Sequence, residues 1–488
     1  MASGTRAERC WTWRTLPMAL ALVVGSAPGV AAGQVATPAP PAAGAPLPVT
    51  AAPVAPPLAA APPTPAPVVA ATPGTFLAMS DVHYVGTPGE KCYQAGDETD
   101  AALWAAAQAE AKQVIQDEKP AFALYLGDLP SHCDPRPDSQ FTSALDGLAS
   151  IVGTGTKLIY VPGNNDSLAG DYQAFTAQGG TPLGQSAAWG GKPVLNAQPG
   201  DMIDDSNLAT GYYSVYALQA TATAAALRVI ALNTTIFTSN YDQRVWTYQA
   251  DSDGQLSWLN GQLKQARAKG EKVIIAMHVP PGTDGYGGGS GTGVTTMWNG
   301  ALTYQGSDPD LKVGSWVQRV FLELVAGYRP EIVGLLSSHT HYNEIRRLRD
   351  CTQPWPTLGD FTELDVAIPS ITTDHGNNPS VKIISYDSGF EWTENRTYFA
   401  PAKSGAGWAT NAPLSFDLRN YPCPSCMAGD TLYARIAALD TATTIGTSSK
   451  LTNMMIRWLK VGAGRPGPRM YALSLDAVCE VPPTGAGG

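Results

Sequence analysis

The chain has 488 residues, 44% of them hydrophobic and 15% charged, so it is long enough for two or three domains with a large buried core. Its formal net charge is −10, and no run of five Lys or Arg residues occurs. Because nucleic-acid binding depends on basic patches, we do not expect nucleic acid as a partner. An acidic protein that handles an anionic ligand needs a local source of positive charge, which bound metal ions can supply.

Residues 1–33 have the features of an export signal. Positive charges precede a short apolar run at 16–24, and small residues follow at 31–33. The run is too short for a typical membrane span, although an uncleaved anchor is an alternative. We therefore expect a secreted or periplasmic protein with no stable membrane span.

Cysteine use agrees with export. Six of the seven cysteines lie outside the signal, and this even number suggests up to three disulfides. We predict the pair Cys92 and Cys133, because both follow predicted strand ends. Cys423 and Cys426 form a Cys-x-x-Cys motif, which could be redox-active or half of a zinc site. No second such motif completes a zinc site, so structural bridging is favoured.

Composition divides the remaining chain into three parts. Residues 34–74 are almost wholly Ala, Pro, Val and Thr without any charge, which predicts an extended, unstructured linker. Residues 75–390 form the predicted main domain. Residues 391–488 carry three cysteines and a helix-like stretch, which predicts a small, mostly helical C-terminal region.

Short apolar runs alternate with helix-like segments in the main domain. The runs are nearly continuous in apolar character, as in strands buried on both faces, and lie at 76–79, 122–126, 158–161, 229–232, 273–277 and 332–336. Helices are predicted at 100–117 and 255–269, and a third is predicted to be capped by Ser315. This alternation predicts an α/β domain.

Residues able to bind a metal ion follow five of the six runs. They are Asp81, His83, Asp128, Asn164, His278, His339 and His341. Because ligands bind at the carboxyl ends of strands in open α/β sheets, we expect these side chains to converge. Extended backbone in Asp-x-His and His-x-His would point residues two apart to the same side. The donor types suit two divalent ions, with zinc favoured and manganese or iron as alternatives.

Each of these motifs is weakly specific by itself. A single Asp-x-His pair is more often a surface loop, and a single Gly-Asp is often a turn. The full set is more informative, because four of the six histidines in the chain follow predicted strands. A shared metal centre explains this concentration better than four unrelated structural histidines.

The order Asp-x-His, Gly-Asp, Gly-Asn, His and His-x-His resembles the calcineurin-like metallophosphoesterases. Residues 127–132, Gly-Asp-Leu-Pro-Ser-His, resemble a motif of the acid sphingomyelinase branch of that family, as do 368–372 and 377–379. The resemblance covers residues 76–387. It implies a four-layer sandwich of two packed mixed β-sheets flanked by helices.

The resemblance also implies roles for the predicted ligands. Asp81, His83 and His341 would hold one ion, Asp128 would bridge both, and the second site would be completed by Asn164, His278 and His339. In such sites two ions clamp a phosphate and provide a hydroxide nucleophile.

Asn165 departs from the family pattern, since a histidine usually follows the Gly-Asn. That histidine commonly protonates the leaving group, which an amide cannot do. His132 matches another active-site histidine of the sphingomyelinase branch and is our candidate for this role, although it could be a polar loop residue. Asp166 is expected to orient its neighbours. His375 is expected to be solvated or to line the substrate site.

We therefore expect an exported phosphodiesterase acting on a small phosphate ester, with a lipid head group or a nucleotide as candidate substrates. A phosphomonoesterase, polyphosphatase or nucleotide phosphohydrolase is an alternative. A metal-containing binding module without catalysis is a further alternative, favoured by Asn165 and by the long linker.

Overall fold

The computed structural model describes residues 71–90, 93, 98–133, 136–241, 248–282, 296–349, 361–401, 408, 414–415 and 430–437. All of them belong to one unit, Ala66–Gly488. The predicted signal peptide lies outside the described residues, as does the predicted linker apart from its last four residues. Cys92 and the Cys-x-x-Cys motif lie outside them as well.

The described residues form sixteen strands and five α-helices. In chain order they are β1 (Gly74–Met79), β2 (Tyr84–Gly86), β3 (Thr99–Asp100), α1 (Ala101–Glu118), β4 (Phe122–Tyr125), α2 (Asp138–Val152), β5 (Lys157–Tyr160), β6 (Val194–Leu195), β7 (Met202–Asp204), β8 (Tyr213–Leu218), β9 (Leu227–Ala231), α3 (Tyr248–Lys269), β10 (Lys272–Ala276), α4 (Val317–Gly327), β11 (Ile332–Ser337), β12 (Ile345–Arg349), β13 (Phe361–Ala367), β14 (Ser380–Tyr386), β15 (Trp392–Phe399), β16 (Leu414–Ser415) and α5 (Leu432–Ala437).

Two seven-stranded mixed sheets carry the fold. The first has the strand order β16-β15-β14-β1-β4-β5-β6, and the second has the order β12-β13-β11-β10-β9-β8-β7. The central strands of each sheet are parallel: β1, β4 and β5 in the first, and β9, β10, β11 and β13 in the second. Their carboxyl ends therefore lie at one edge of each sheet.

The inner faces of the two sheets pack against each other in one hydrophobic core. Phe76 of the first sheet stacks on Phe122, with ring centroids 5.0 Å apart, and lies 6.0 Å from the ring of Trp392. Gly334 of the second sheet faces the same indole, and a Cβ there would come within 2.5 Å of it. The absence of a side chain at Gly334 thus lets the two sheets approach closely.

Helices cover the two outer faces. Trp104 of α1 packs with Leu77 on the outer face of the first sheet, together with side chains of α2. Leu259 of α3 and Phe321 of α4 pack with Ile275 on the outer face of the second sheet. This is the predicted four-layer sandwich, and it confirms why the central strands are apolar on both faces.

The structure matches the six predicted strands and the predicted start of one helix, and it revises the cap of another. Helix α1 begins after Asp100, whose Oδ1 accepts a hydrogen bond from the Leu103 amide at 2.8 Å, as expected of an N-cap. The predicted cap of α4 is wrong, because Trp316 occupies that position without a side-chain hydrogen bond. Ser315 instead accepts a backbone hydrogen bond from Tyr304.

The last long strand of the sandwich, β15, was predicted to lie in the separate C-terminal region. Strand β15, Trp392–Phe399, pairs with β14 in the first sheet, so the predicted boundary at 390 falls inside the fold. Its buried residues are interspersed with partly exposed ones, a pattern unlike the continuous apolar runs used for prediction. The region 391–488 was predicted to be mostly helical. Its described residues include one α-helix, α5. None of the described helices combines the length and apolar character that a membrane span requires.

The Trp392→Ala variant tests whether β15 belongs to the sandwich. Trp392 is 2% exposed, so its removal leaves a cavity between the sheets and should lower the free energy of unfolding by about 3–5 kcal/mol. Urea denaturation followed by intrinsic fluorescence and circular dichroism measures this. Val313→Ala, at a side chain that is 58% exposed, should change it by less than about 0.5 kcal/mol. Equal, small effects of both variants would contradict the placement of β15.

Candidate metal centre

The predicted ligand residues follow strands that end at the same edge of the sandwich. Asp81, Asp128 and Asn164 follow β1, β4 and β5, which are neighbours in the first sheet. His278 follows β10, and the His-x-His motif follows β11, its neighbour in the second sheet. The two sheets thus present their carboxyl ends to one another.

Three of these side chains form a first cluster. His341 Nε2 lies 3.3 Å from Asp81 Oδ1, and His83 Nε2 lies 3.8 Å from the same oxygen. Ligand-type atoms of the three residues all lie within 4.8 Å of one another. One carboxylate and two imidazoles within that distance can share one cation.

Asp128, His278 and His339 form a second cluster, with ligand-type atoms again within 4.8 Å of one another. His278 Nε2 lies 3.1 Å from Asp128 Oδ2. The same oxygen lies 3.4 Å from Nε2 of His83 in the first cluster. Asp128 therefore stands between the two clusters, within reach of both.

Asn164 lies at the end of β5 with 3% of its surface exposed. Its Nδ2 donates a hydrogen bond to Asp171 Oδ1 at 2.8 Å. Its Oδ1 is buried and has no hydrogen-bond partner among the described residues. Asp171 thus uses the donor end of the amide and leaves the oxygen end for another group.

Several other donor atoms in the clusters are also buried without a hydrogen-bond partner in the described part of the chain. They are both carboxylate oxygens of Asp81, both ring nitrogens of His83 and Nε2 of His278. Burying polar atoms without partners is costly, so such a concentration requires a compensating group. Carboxylate, imidazole and amide donors together fit a pair of divalent cations.

The backbone at these residues differs from the expected extended conformation. Asp81, His83, Asp128, His339 and His341 all have positive φ, between 43° and 67°. The side chains of Asp-x-His and His-x-His therefore converge through left-handed turns, and the expectation of extended chain was wrong. Residues with side chains adopt this region at a cost, and such strain concentrates at functional sites.

Two glycines allow the first-sheet loops to meet. Gly127 has φ +92°, and a Cβ there would overlap the backbone nitrogen of Gly163. A Cβ at Gly163 would in turn overlap the Asp128 carboxylate. The Gly-Asp and Gly-Asn motifs thus need glycine because the two loops pack backbone against backbone.

Comparison with known proteins identifies the family. The sequence profile of the calcineurin-like phosphoesterases matches residues 74–343, more than half of the chain. The chain belongs to the calcineurin-like phosphoesterase family.

Parts of this calcineurin-like phosphoesterase are similar in sequence or structure to known proteins. Sphingomyelin phosphodiesterase 2 of Caenorhabditis elegans is 30% identical over 203 residues, which are 40% of this chain and 28% of that protein. Human sphingomyelin phosphodiesterase is 28% identical over 164 residues, which are 34% of this chain and 21% of that protein. A dimetal phosphatase from Danio rerio superposes with a TM-score of 0.38 at 13% identity, over 66% of this chain and 98% of that one. The chain thus matches less than a third of the length of either curated relative.

Asp166 organises the loop beneath the clusters of this calcineurin-like phosphoesterase. Its Oδ2 accepts hydrogen bonds from the backbone amides of Asp128 at 3.0 Å and Gly163 at 2.8 Å. Its Oδ1 accepts one from Leu129 at 2.7 Å, and the Tyr160 hydroxyl donates to Oδ2 at 2.8 Å. This fully buried carboxylate therefore holds the Gly-Asp and Gly-Asn loops together, in the orienting role expected of it.

Leu126 links the two sheets next to the clusters. Its carbonyl oxygen lies 2.6 Å from His278 Nδ1 and accepts a hydrogen bond from the Ser338 hydroxyl at 3.0 Å. A proton on His278 Nδ1 leaves the Nε2 lone pair facing Asp128, the usual arrangement for a ligand imidazole. Ser338 does not have a positive φ, so its side chain fits there without backbone strain.

His132 lies at the exposed side of the first cluster. Its ring stacks on His83 with centroids 4.4 Å apart, and its side chain is 45% exposed. Glu98 Oε1 lies 2.7 Å from His132 Nδ1 and also accepts a hydrogen bond from the His132 backbone amide. Burial lowers the pKa of His132, but Glu98 outweighs this and raises it to about 9. The next residue is Cys133, and its predicted pairing with Cys92 stays a prediction.

The structure adds Tyr172 and Asp374, which the sequence did not single out, and it places His375 beside the first cluster. The Tyr172 hydroxyl lies 3.3 Å from His339 Nε2. His375 lies edge-on to His341, with ring centroids 4.8 Å apart, and its side chain is 37% exposed, next to Asp374. Tyr172 and Asp374 lie in loops without periodicity or motif, so no sequence signal marks them.

The charges in the clusters favour ligand-competent protonation states at Asp81, Asp128 and His339 and oppose one at His278. Burial by itself raises the pKa values of Asp81 and Asp128, but neighbouring imidazoles outweigh it and hold both well below their usual range. Burial and the proximity of His278 lower the pKa of His339 to about 3. Burial also lowers the pKa of His278, but Asp128 outweighs this and raises it to about 9. A cation at His278 therefore competes with a proton.

Replacing Asp166 tests how the loops are held. Asp166→Asn substitutes an amide donor for an oxygen that accepts backbone hydrogen bonds, so it should lower the free energy of unfolding by about 2–4 kcal/mol. Chemical denaturation of the metal-free protein measures this without contributions from bound ions. Asp205→Asn, at an exposed aspartate, should leave stability within about 0.5 kcal/mol. A silent Asp166→Asn would show that these hydrogen bonds do not hold the loops.

Proposed function

We propose that this calcineurin-like phosphoesterase is an exported phosphodiesterase with a pair of divalent cations. In this proposal one cation is held by Asp81, His83 and His341. The other is held by Asn164, His278 and His339, and Asp128 contacts both. Zinc is the favoured metal, with manganese or iron as alternatives, because imidazole and carboxylate donors suit all three.

The position of Asp128 carries the proposal. Its Oδ2 lies 3.4 Å from an imidazole nitrogen of one cluster and 3.1 Å from one of the other. An oxygen in that position would be within reach of two cations, and the nearby donor atoms that lack a hydrogen-bond partner in the described part of the chain support the presence of both. Two cations in such an arrangement, when bound, supply Lewis acidity toward phosphoryl oxygens and a water of lowered pKa.

His132 and Asn165 lie next to the clusters, and they differ in whether they can donate a proton to the leaving group. We propose that His132 protonates the leaving oxygen; its ring lies against His83, and Glu98 lies at hydrogen-bond distance from its Nδ1, which supports this role. Asn165 cannot act as this acid. It is fully buried, and its amide group contacts Asp128 on one side and Arg136 on the other.

The substrate class follows from the relatives, whose names are sphingomyelin phosphodiesterases. We propose a phosphodiester of the sphingomyelin or nucleotide type. His132 and His375 are partly exposed beside the clusters, which fits a substrate with a group beyond the phosphorus. A monoester, polyphosphate or nucleotide phosphohydrolase is the alternative within the same chemistry.

The domain arrangement and location are part of the same proposal. We propose a signal peptide at 1–33, a linker at 34–74, a catalytic domain at 75–390 with β15 added to it, and a C-terminal region after that strand. The even number of cysteines outside the signal supports export, since disulfides persist in oxidising compartments.

A non-catalytic, metal-containing binding module is the competing function. Asn165 favours it, because the usual proton donor is replaced. His132 argues against it, because a hydrogen-bonded, half-exposed histidine next to the clusters can supply the proton. A wild-type protein with two bound cations and no hydrolysis of any ester would favour the binding module.

Metal removal and a substrate panel test the proposal. Purified protein should contain two divalent cations per chain by elemental analysis, and dialysis against a chelator should abolish hydrolysis that zinc or manganese restores. Bis-nitrophenyl phosphate should be hydrolysed faster than nitrophenyl phosphate. Asp128→Ala should lower activity and bound metal by more than the ~10–100-fold typical of losing a partner of a ligand. Asp205→Asn is the matched control, and a protein that binds no cations would refute the assignment.

His132→Ala tests the proposed proton donor. It should slow hydrolysis of diesters with alkoxide leaving groups about 10²–10⁴-fold, because these leave as neutral alcohols. Nitrophenolate leaves without a proton, so hydrolysis of bis-nitrophenyl phosphate should fall much less. His375→Ala, at the other exposed histidine, is the comparison. Equal losses of His132→Ala on both substrate types would rule out its role as the acid.

A further inference from the structure

Asn165 is bound on both sides of its amide group. Its Nδ2 donates a hydrogen bond to Asp128 Oδ2 at 3.0 Å, and its backbone amide donates to Asp128 Oδ1 at 2.8 Å. Each oxygen of the Asp128 carboxylate thus receives one hydrogen bond from the same residue. This pair of contacts fixes the plane of the carboxylate as well as its position.

Arg136 holds the opposite side of Asn165. Its NH2 donates to Asn165 Oδ1 at 2.9 Å, and its NH1 donates to the Asn165 backbone oxygen at 3.0 Å. Its Nε donates to the Ser131 backbone oxygen at 3.1 Å. The guanidinium group therefore joins the loop that follows Asp128 to the loop that contains Asn165.

We propose that Arg136 is a positioning residue for the metal centre and acts on Asp128 through Asn165. This inference rests on the proposed function, in which Asp128 contacts both cations. It also gives Asn165 a role other than proton donation. Its side-chain amide connects the Arg136 guanidinium to the Asp128 carboxylate through hydrogen bonds.

The chemistry of the three groups makes the chain of contacts directional. Arginine has donors only, and an ionised carboxylate has acceptors only. A side chain between them must therefore accept on one side and donate on the other, which an amide does. A reversed amide would set oxygen against carboxylate and NH2 against guanidinium, so a single orientation of Asn165 is stable.

Lysine cannot replace Arg136 in this arrangement. The planar guanidinium presents parallel donors to two oxygens of the same residue, whereas an ammonium group is a single point charge. Arg136→Lys should therefore loosen Asn165 and let the Asp128 carboxylate rotate. Loss of such an outer partner typically weakens metal binding about 10–100-fold.

Equilibrium dialysis of the full chain against Zn²⁺, with elemental analysis, tests the proposal. Wild type should bind two ions, and Arg136→Lys and Asn165→Ala should each weaken binding at least about 10-fold. The double variant should lose clearly less affinity than the sum of the two single losses, because the side-chain path from Arg136 to Asp128 runs through Asn165. Arg396→Lys is the matched control: this partly exposed arginine forms a two-bond contact with Glu118 and should leave zinc binding unchanged.

The outcomes separate the possibilities. Unchanged zinc affinity in Arg136→Lys, with a lower thermal midpoint of the metal-free protein, would make Arg136 a structural contact and overturn the proposal. Additive losses in the double variant would overturn it as well. Should Arg136→Lys not fold, Asn165→Ala carries the test, since unchanged affinity there is equally fatal. A wild type that binds no zinc defeats the proposed function, whereas a wild type with two ions and insensitive variants defeats this inference alone.

Discussion

The placement of the Asp128 carboxylate is the constraint around which the edge of the sandwich is built. This group follows β4 of the first sheet, yet its Oδ2 lies 3.1 Å from His278, which follows β10 of the second. Such proximity requires the carboxyl ends of both sheets to face each other. Leu126 maintains this alignment, because its carbonyl oxygen contacts both His278 and Ser338 of the second sheet.

The groups that form hydrogen bonds with Asp128 differ from the imidazoles of the two clusters near its carboxylate. Asp166 binds its backbone amide, Asn165 binds both carboxylate oxygens, and Arg136 binds Asn165. All of these contacts are made within the protein. The hydrogen bonds that hold Asp128 come from the polypeptide itself, whereas the carboxylate of Asp81 and the ring of His83 have no hydrogen-bond partner among the described residues.

The sequence predicted the sandwich and the candidate ligands because both leave direct signals. Central parallel strands are continuous apolar runs, and strand ends are where polar donors collect. It could not predict the edge strand β15, whose buried and partly exposed residues alternate irregularly. It also could not predict the left-handed turns at Asp81 and His83, since these residue types usually adopt other conformations. Arg136 reaches Asn165 only through tertiary structure, so no local pattern identifies it.

The burial of the donor atoms has a kinetic consequence. Asp81, His83 and His278 are fully buried, while the exposed neighbours of the clusters are His132 and His375. A cation bound by the buried atoms would have to break several protein contacts before it could leave the site. Its residence time would then be long, and loading during folding would matter more than exchange afterwards. The metal carried by a mature molecule would record which ion was present when the chain folded.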